Sequence, residues 1–354
     1  MNIKNLIWVF LFIPFIISCN NKTADDKQEA NNNLKDIKSQ TNTYPPPGKL
    51  VDIGGYKLHI IVDGEKSQGP TVVFFHGAGD IALFWNLVLP KVGKFAKAIA
   101  IDQNGEGWSD HGYGMALNQQ VYDSHEVLLK GGFDPPYIIV GHSLGGIIAN
   151  LFAAKYKDEV DGVVLVDATH PDIVLKIYNK ETKTLEWKKM RLTADEPIPQ
   201  IKTEISVEPG EISSYQIKKN FGDKLNKFSE RDQKLFNWIY NERPWTYIKG
   251  QEDTYEAEIF DEMYKNPKDY HLGETPLIVL TGGAKKLKKG DENWSSEELM
   301  NHSILLQKDL LTLSSRSEQI IAKNSGHHIH IDEPEVVVSA IKKLIDQITD
   351  VNKK

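Results

Sequence analysis

The stretch PPYIIVGHSLGGIIANLFAAKY, residues 135–156, places Ser143 between Gly141 and Gly145, with His142 and Leu144 beside it. A serine hydroxyl becomes a useful nucleophile only when a base can take its proton and fixed donors await the developing oxyanion. The run Tyr137–Val140 is short, apolar and strand-like, and a small-residue helical pattern follows the serine directly. Strand, G-x-S-x-G turn and helix in that order form a nucleophile elbow, a turn so sharp that neighbours bearing Cβ atoms would collide. Glycines at 141 and 145 relieve that crowding, and the helix N-terminus favours negative charge beside the hydroxyl. A second candidate piece is FFHGAGD, which follows the run Thr71–Phe75. The backbone N–H of Ala78, after His76-Gly77, and that of Leu144, next to the serine, are the expected oxyanion donors. His76 reads as a brace for its loop, because the partner of the nucleophile comes later in a chain of this architecture.

These residues need a scaffold. KLVDIGGYKLHIIVDGE reads as a hairpin turning at Gly54-Gly55. The runs Thr71–Phe75, Ala96–Asp102, Tyr137–Val140, Gly162–Asp167 and Pro276–Thr281 are continuous and apolar. Such runs suit strands of a parallel sheet buried on both faces. EQIIAK around Ile320 is a weaker strand candidate. Near the C-terminus, Val337, Ala340, Ile341, Leu344, Ile345 and Ile348 share one helical face, and Pro334 suits that helix's first turn. The expectation is a mostly parallel α/β sheet with helices on both sides.

The ordered set HGAG, DQNGEGWSD, PYIIVGHSLGG, DEVDGVVLVDATHPD and NSGHHIHIDEPEVVVSAI resembles the α/β-hydrolase superfamily, and within it the lidded esterase-like hydrolases. The likeness runs from about Val51 to Ile348, apart from the middle. It implies an eight-stranded, mostly parallel sheet with an inserted helical cap. Gln103 departs from the pattern, standing where such relatives often have arginine. The resemblance makes His327, in SGHHIHIDEP, the base. His328 and His330 read as loop packing. With His302 and His327 they could suggest a metal site, but no cysteine and no helix-spaced His-Glu pair joins them, so no metal and no cofactor is expected. His327 needs an acid on its other ring nitrogen. Many relatives carry it after the seventh strand, where this chain reads LTGGAKKLKK. Some lipases of this fold place it one strand earlier, and Asp167, the last residue of the buried run Gly162–Asp167 beside the serine's strand, is the expected acid, because strand ends at this edge converge on the elbow. Asp172 and Asp291 remain competitors.

The segment from about Pro171 to Glu274 breaks the strand–helix rhythm and holds Trp187, Trp238 and Trp245. It resembles the superfamily's helical cap, expected over 171–274 between core segments 49–170 and 275–350. Most of these tryptophans are expected to pack between cap elements.

Ahead of the core, MNIKNLIWVFLFIPFIISCNNK holds Lys4, an apolar run from Leu6 to Ile17 and Cys19, the only cysteine. The run is short for a bilayer span, Pro14 interrupts it, and its layout suits an export signal over 1–18. Ile16-Ile17-Ser18-Cys19 resembles the lipobox of bacterial lipoproteins, which implies a lipid on Cys19 and a chain anchored to a membrane of the cell envelope. A polar stretch over 19–48, ending in three prolines, reads as a solvated tether.

The chain has 354 residues and a formal charge of −7, with no basic stripe, which argues against a nucleic-acid partner. Two functional classes remain. One is a serine hydrolase of a small ester, with amide or lactone hydrolysis as near alternatives. The other is a lipid-anchored binding protein on the same scaffold without turnover. Epoxide hydrolases and dehalogenases are disfavoured because they usually need a carboxylate where Ser143 stands.

Overall fold

The structure is a computed structural model and describes residues 44–112, 116–179, 182–191, 205–207, 221–241, 245–247, 251–285 and 287–352. The signal expected over 1–18, Cys19 and nearly all of the tether lie outside the described residues.

Twelve strands are described: β1 Lys49–Asp52, β2 Lys57–Asp63, β3 Thr71–Phe75, β4 Lys97–Ile101, β5 Tyr137–His142, β6 Val160–Val166, β7 Val174–Asn179, β8 Thr184–Lys189, β9 Ile205–Val207, β10 Trp245–Tyr247, β11 Leu277–Gly282 and β12 Ser317–Ala322. Eight of them form one sheet in the order β1-β2-β4-β3-β5-β6-β11-β12. From β4 to β12 every neighbouring pair is parallel; β1 and β2 pair antiparallel at one edge. The hairpin turn falls at Gly54 and Gly55, both at φ 110°, a value that residues with side chains rarely adopt.

The continuous apolar runs follow from two-sided burial. Val72 and Phe74 point into one core cluster and Val73 and Phe75 into the other. Ala98 and Ala100 against Ile99 and Ile101 repeat the alternation in β4, as do Ile278 and Leu280 against Leu277 and Val279 in β11. The described helices are α1 Leu89–Val92, α2 Leu117–Lys130, α3 Leu144–Lys155, α4 Glu230–Asn241, α5 Gln251–Lys265, α6 Ser296–Asp309, α7 Ile329–Asp332 and α8 Pro334–Asn352. Helix α8 starts at Pro334 and buries Val337, Ala340, Ile341 and Leu344 in the first cluster. Helices α2 and α3 cover the opposite face. Among the described residues no helix is long and apolar enough to cross a membrane.

The segment expected as a helical cap is mixed. It opens with the antiparallel hairpin β7–β8 before α4 and α5, and β9 pairs with β10. The sequence cue for the hairpin is weak, since Val174–Asn179 and Thr184–Lys189 interleave lysines with apolar residues. Phe84 of the core stacks on Phe221 at 4.3 Å and lies 4.4 Å from Phe236 of α4, so aromatic packing ties this segment to the core. Trp238 is buried in the same cluster, and Trp187 is buried in a small satellite with Val174 and Leu299. Both are packing residues; the side chain of Trp245 lies outside the described set.

Candidate active site

Ser143 is the residue between β5 and α3, with φ 52° and ψ −122°. That left-handed conformation costs a serine free energy of order 1–3 kcal/mol and persists only where its surroundings impose it. The surroundings are unusually close. A Cβ on Gly141 would run into the carbonyl of Gly145, and one on Gly145 would lie 2.5 Å from the carbonyl oxygens of both Phe75 and His76. A Cβ on Gly77 would approach the Ser143 Cβ to 3.1 Å, so the His-Gly loop after β3 lies directly against the serine. The Ser143 backbone is held in turn: its N–H reaches the Val166 carbonyl at 3.3 Å, and its carbonyl accepts from Gly146 and Thr169 at 2.9 Å each.

Asp167 follows β6 with φ 42°. Its Oδ2 accepts from His327 Nδ1 at 2.8 Å. Its Oδ1 accepts from the Gly282 N–H at 3.0 Å and lies 2.9 Å from Lys285 Nζ. Burial pushes this carboxyl up. The hydrogen bond and charge of His327 and the Lys285 ammonium outweigh that push and hold it at about 2. The His327 side chain is 47% exposed, unlike the Asp167 side chain at 4%, so the imidazole faces open space. Its loop is pinned by acids downstream: the Gly326 N–H reaches Asp332 Oδ2 at 3.3 Å, and the Ser325 hydroxyl donates to Glu333 at 2.6 Å.

Ala78, Ser143, Leu144, Asp167 and His327 all line one cavity of about 920 Å³. Leu144 is the first residue of α3, where backbone N–H groups lack intrahelical acceptors. The competing acids sit elsewhere. Asp172 is engaged by Lys189 at 2.9 Å and Arg191 at 2.7 Å. Asp291 accepts from the backbone N–H of Trp187 at 3.0 Å and caps its own turn. His76 braces its own loop and the segment after β4, with Nδ1 3.0 Å from the Gly77 carbonyl and Nε2 3.2 Å from Glu106. Gln103, at the place where relatives often carry arginine, is buried, and both its side-chain polar atoms lack partners.

His142, His328 and His330 cluster against His327, with the His142 ring 4.7 Å and the His328 ring 5.2 Å from it. His142 Nε2 donates to the His327 carbonyl at 3.0 Å, and its ring lies 4.3 Å from that of His330. His328 packs on Phe221 at 4.6 Å, and burial together with the nearby imidazoles lowers it to about 3. His302 belongs to α6, where its Nε2 donates to the Asp172 carbonyl at 2.8 Å. The described residues that could together hold a metal ion are Asp80, His142 and His330, whose donor atoms lie within 4.8 Å of one another. All three are buried, and none lines the cavity. Sequence reading missed two features of the site. Lys285 pairs with Asp167 across strands, and Tyr240 of α4 donates to the Gly79 carbonyl at 2.7 Å, beside Ala78. Neither carries a local sequence signal, because both depend on which segments meet.

The family model described as "alpha/beta hydrolase fold" matches residues 70–334. An uncharacterized Bacillus subtilis protein, YqjL, is 25% identical over 278 residues, covering 78% of this chain and 83% of its own. Epoxide hydrolase 1 of Caenorhabditis elegans is 22% identical over 312 residues, covering 84% and 70% respectively. The solved structure of E-2-(acetamidomethylene)succinate hydrolase superposes with a TM-score of 0.53 at 20% identity, over 84% of this chain and 98% of its own, a likeness of fold.

Proposed function

Because the chain belongs to the alpha/beta hydrolase fold family, we propose that this member is a serine hydrolase of carboxylic esters. The observation that carries the reading is the 2.8 Å His327–Asp167 pair in the same cavity as a serine held at φ 52°. Ser143 Oγ attacks the ester carbonyl carbon as His327 Nε2 takes its proton. Asp167, on the other ring nitrogen, fixes the tautomer and stabilises the imidazolium. The tetrahedral oxyanion is met by the N–H groups of Ala78 and Leu144 and by the positive end of α3. Collapse breaks the C–O bond to the alcohol, which leaves with the proton from His327. Water, deprotonated by His327, then attacks the acyl-enzyme and releases the acid and free Ser143. Epoxide opening through an alkyl-enzyme ester calls for a carboxylate nucleophile, and position 143 is serine. We place the mature chain at the cell envelope, held by a lipid on Cys19, on the strength of the N-terminal sequence.

The test is a panel of 4-nitrophenyl esters with a fluorophosphonate probe on wild type and Ser143→Ala. Turnover and labelling that both vanish in a folded Ser143→Ala support the reading. A folded variant that keeps most of the wild-type rate refutes it.

A further inference from the structure

The cavity wall differs in charge from the molecule around it. The chain carries a formal charge of −7. The cavity is lined by four lysines, Lys224, Lys227, Lys285 and Lys288, and by two aspartates, Asp167 and Asp332. Both aspartates are already matched: Asp167 by Lys285 and His327, Asp332 by Lys224 at 2.8 Å. Lys227 donates to the neutral carbonyls of Ile331 and Asp332 at 2.9 and 3.2 Å. Among the described residues no carboxylate pairs with Lys288. Its ammonium lies 5.3 Å from the centre of the Trp187 ring, which offers a face but no anion. The side chain remains exposed to solvent, yet desolvation by its surroundings and the neighbouring Lys285 lower its pKa below the ordinary lysine value, against a smaller opposing pull from Asp167, whose own charge is already matched. The rest of the wall is largely apolar, including Ile173, Met190, Phe260 and Leu306. An apolar chamber with uncompensated positive charge concentrates ligands of opposite sign, and low-dielectric walls strengthen the effect.

We infer that the ester taken by this site carries a carboxylate, and that Lys288 receives it while the apolar wall holds the chain between carboxylate and ester. The inference rests on the serine-hydrolase reading above and adds the substrate's class to it. Lysine suits the role as a mobile point charge on a long stem, able to meet a carboxylate at more than one depth. Trp187 positions the loop that carries Lys288, since its indole N–H donates to the Lys289 carbonyl at 3.1 Å and its backbone N–H to Asp291.

The experiment uses matched ester pairs that differ only in the charge. For an acyl-side carboxylate, 4-nitrophenyl hydrogen adipate, suberate and sebacate are each compared with their methyl esters. For an alcohol-side carboxylate, 4-acetoxybenzoate is compared with methyl 4-acetoxybenzoate. The readout is the ratio of kcat/KM, anionic over neutral, in which any loss common to both esters cancels. We expect a ratio of about ten or more in at least one arm, the size of one charge-assisted contact. The ratio falls with added NaCl. It collapses towards unity in Lys288→Gln, largely through KM, and is retained in Lys288→Arg. A wild-type ratio at or below one in both arms overturns the inference while leaving the serine hydrolase intact, provided the neutral esters turn over. A high ratio unaffected by Lys288→Gln also overturns it, because the charge is then read elsewhere. Absence of turnover in every arm together with no fluorophosphonate labelling of Ser143 removes the hydrolase reading and this inference with it.

Discussion

Lys285 Nζ lies 2.9 Å from Asp167 Oδ1, on the carboxylate whose other oxygen accepts from His327 Nδ1 at 2.8 Å. Asp167 directly follows β6 and Lys285 lies in the loop after the neighbouring parallel strand β11. A carboxylate at 4% exposure needs such company. The pairing keeps Asp167 ionised far below neutral pH, and so keeps it an acceptor for the imidazole.

That depressed pKa has a signed consequence. The folded value, about 2, lies below the ordinary 3.8. The contribution is therefore complete above about 4 and disappears as pH falls towards 2, roughly 2 kcal/mol in all. Wild type should exceed Asp167→Asn in urea-unfolding free energy at pH 6, and the gap should narrow at pH 3. An equal gap at both values would show that the charge of Asp167 does not carry the difference.

Asp167→Asn should fold and lose activity steeply, on the order of 10⁴-fold in kcat as in the serine-protease precedent. Asp172→Asn and Asp291→Asn should remain within about threefold, because those carboxylates serve an ion-pair cluster and a turn. Steady-state kinetics on the three purified variants checks this, and a collapse confined to Asp172→Asn or Asp291→Asn would reassign the acid.

Gly145→Ala should destabilise the protein by about 1–3 kcal/mol, since the added methyl meets backbone carbonyls at 2.5 Å rather than movable side chains. Thermal melts compare it with Gly132→Ala. That position has nothing within 4 Å, so its cost comes from its φ of 79° alone. A Gly145→Ala protein as stable as wild type would mean that the elbow can relax.

Cys19→Ser should move the protein from the membrane fraction to the soluble fraction, or leave an uncleaved precursor. Buried methylenes hold such anchors at about 0.8 kcal/mol each, so the shift should be nearly complete. Mass spectrometry that finds an unmodified Cys19 in the mature chain would exclude the anchor.

Much of the core was readable because its physics is local. Strands buried on both faces must be apolar over most of their length, and β3, β5 and β11 are, with Thr71, His142 and Thr281 at or near their ends. The elbow was readable because only glycine tolerates the carbonyls packed against positions 141 and 145. Asp167 could be favoured over Asp172 and Asp291 because it ends a buried strand beside that of the serine, but its partners could not be read, because a strand end indicates where a side chain emerges and not what meets it. The β7–β8 hairpin was missed for a related reason. One side of β8 is exposed and charged, and its single buried tryptophan, Trp187, packs with Val174 and with Leu299, a residue 112 positions away along the chain. The lysines after β11 were legible only as the place where an acid was missing, and the fold turns two of them, Lys285 and Lys288, to the cavity.

With the proposed acid just after β6, the loop after β11 touches it only through the Gly282 N–H and Lys285. Such a loop can exchange residues at 287–290 without disturbing proton transfer. Its other attachment is Trp187, which belongs to the inserted segment. Descendants of this chain could therefore change what they bind by altering the hairpin and this loop together, as a cassette, while the serine, histidine and aspartate stay as they are.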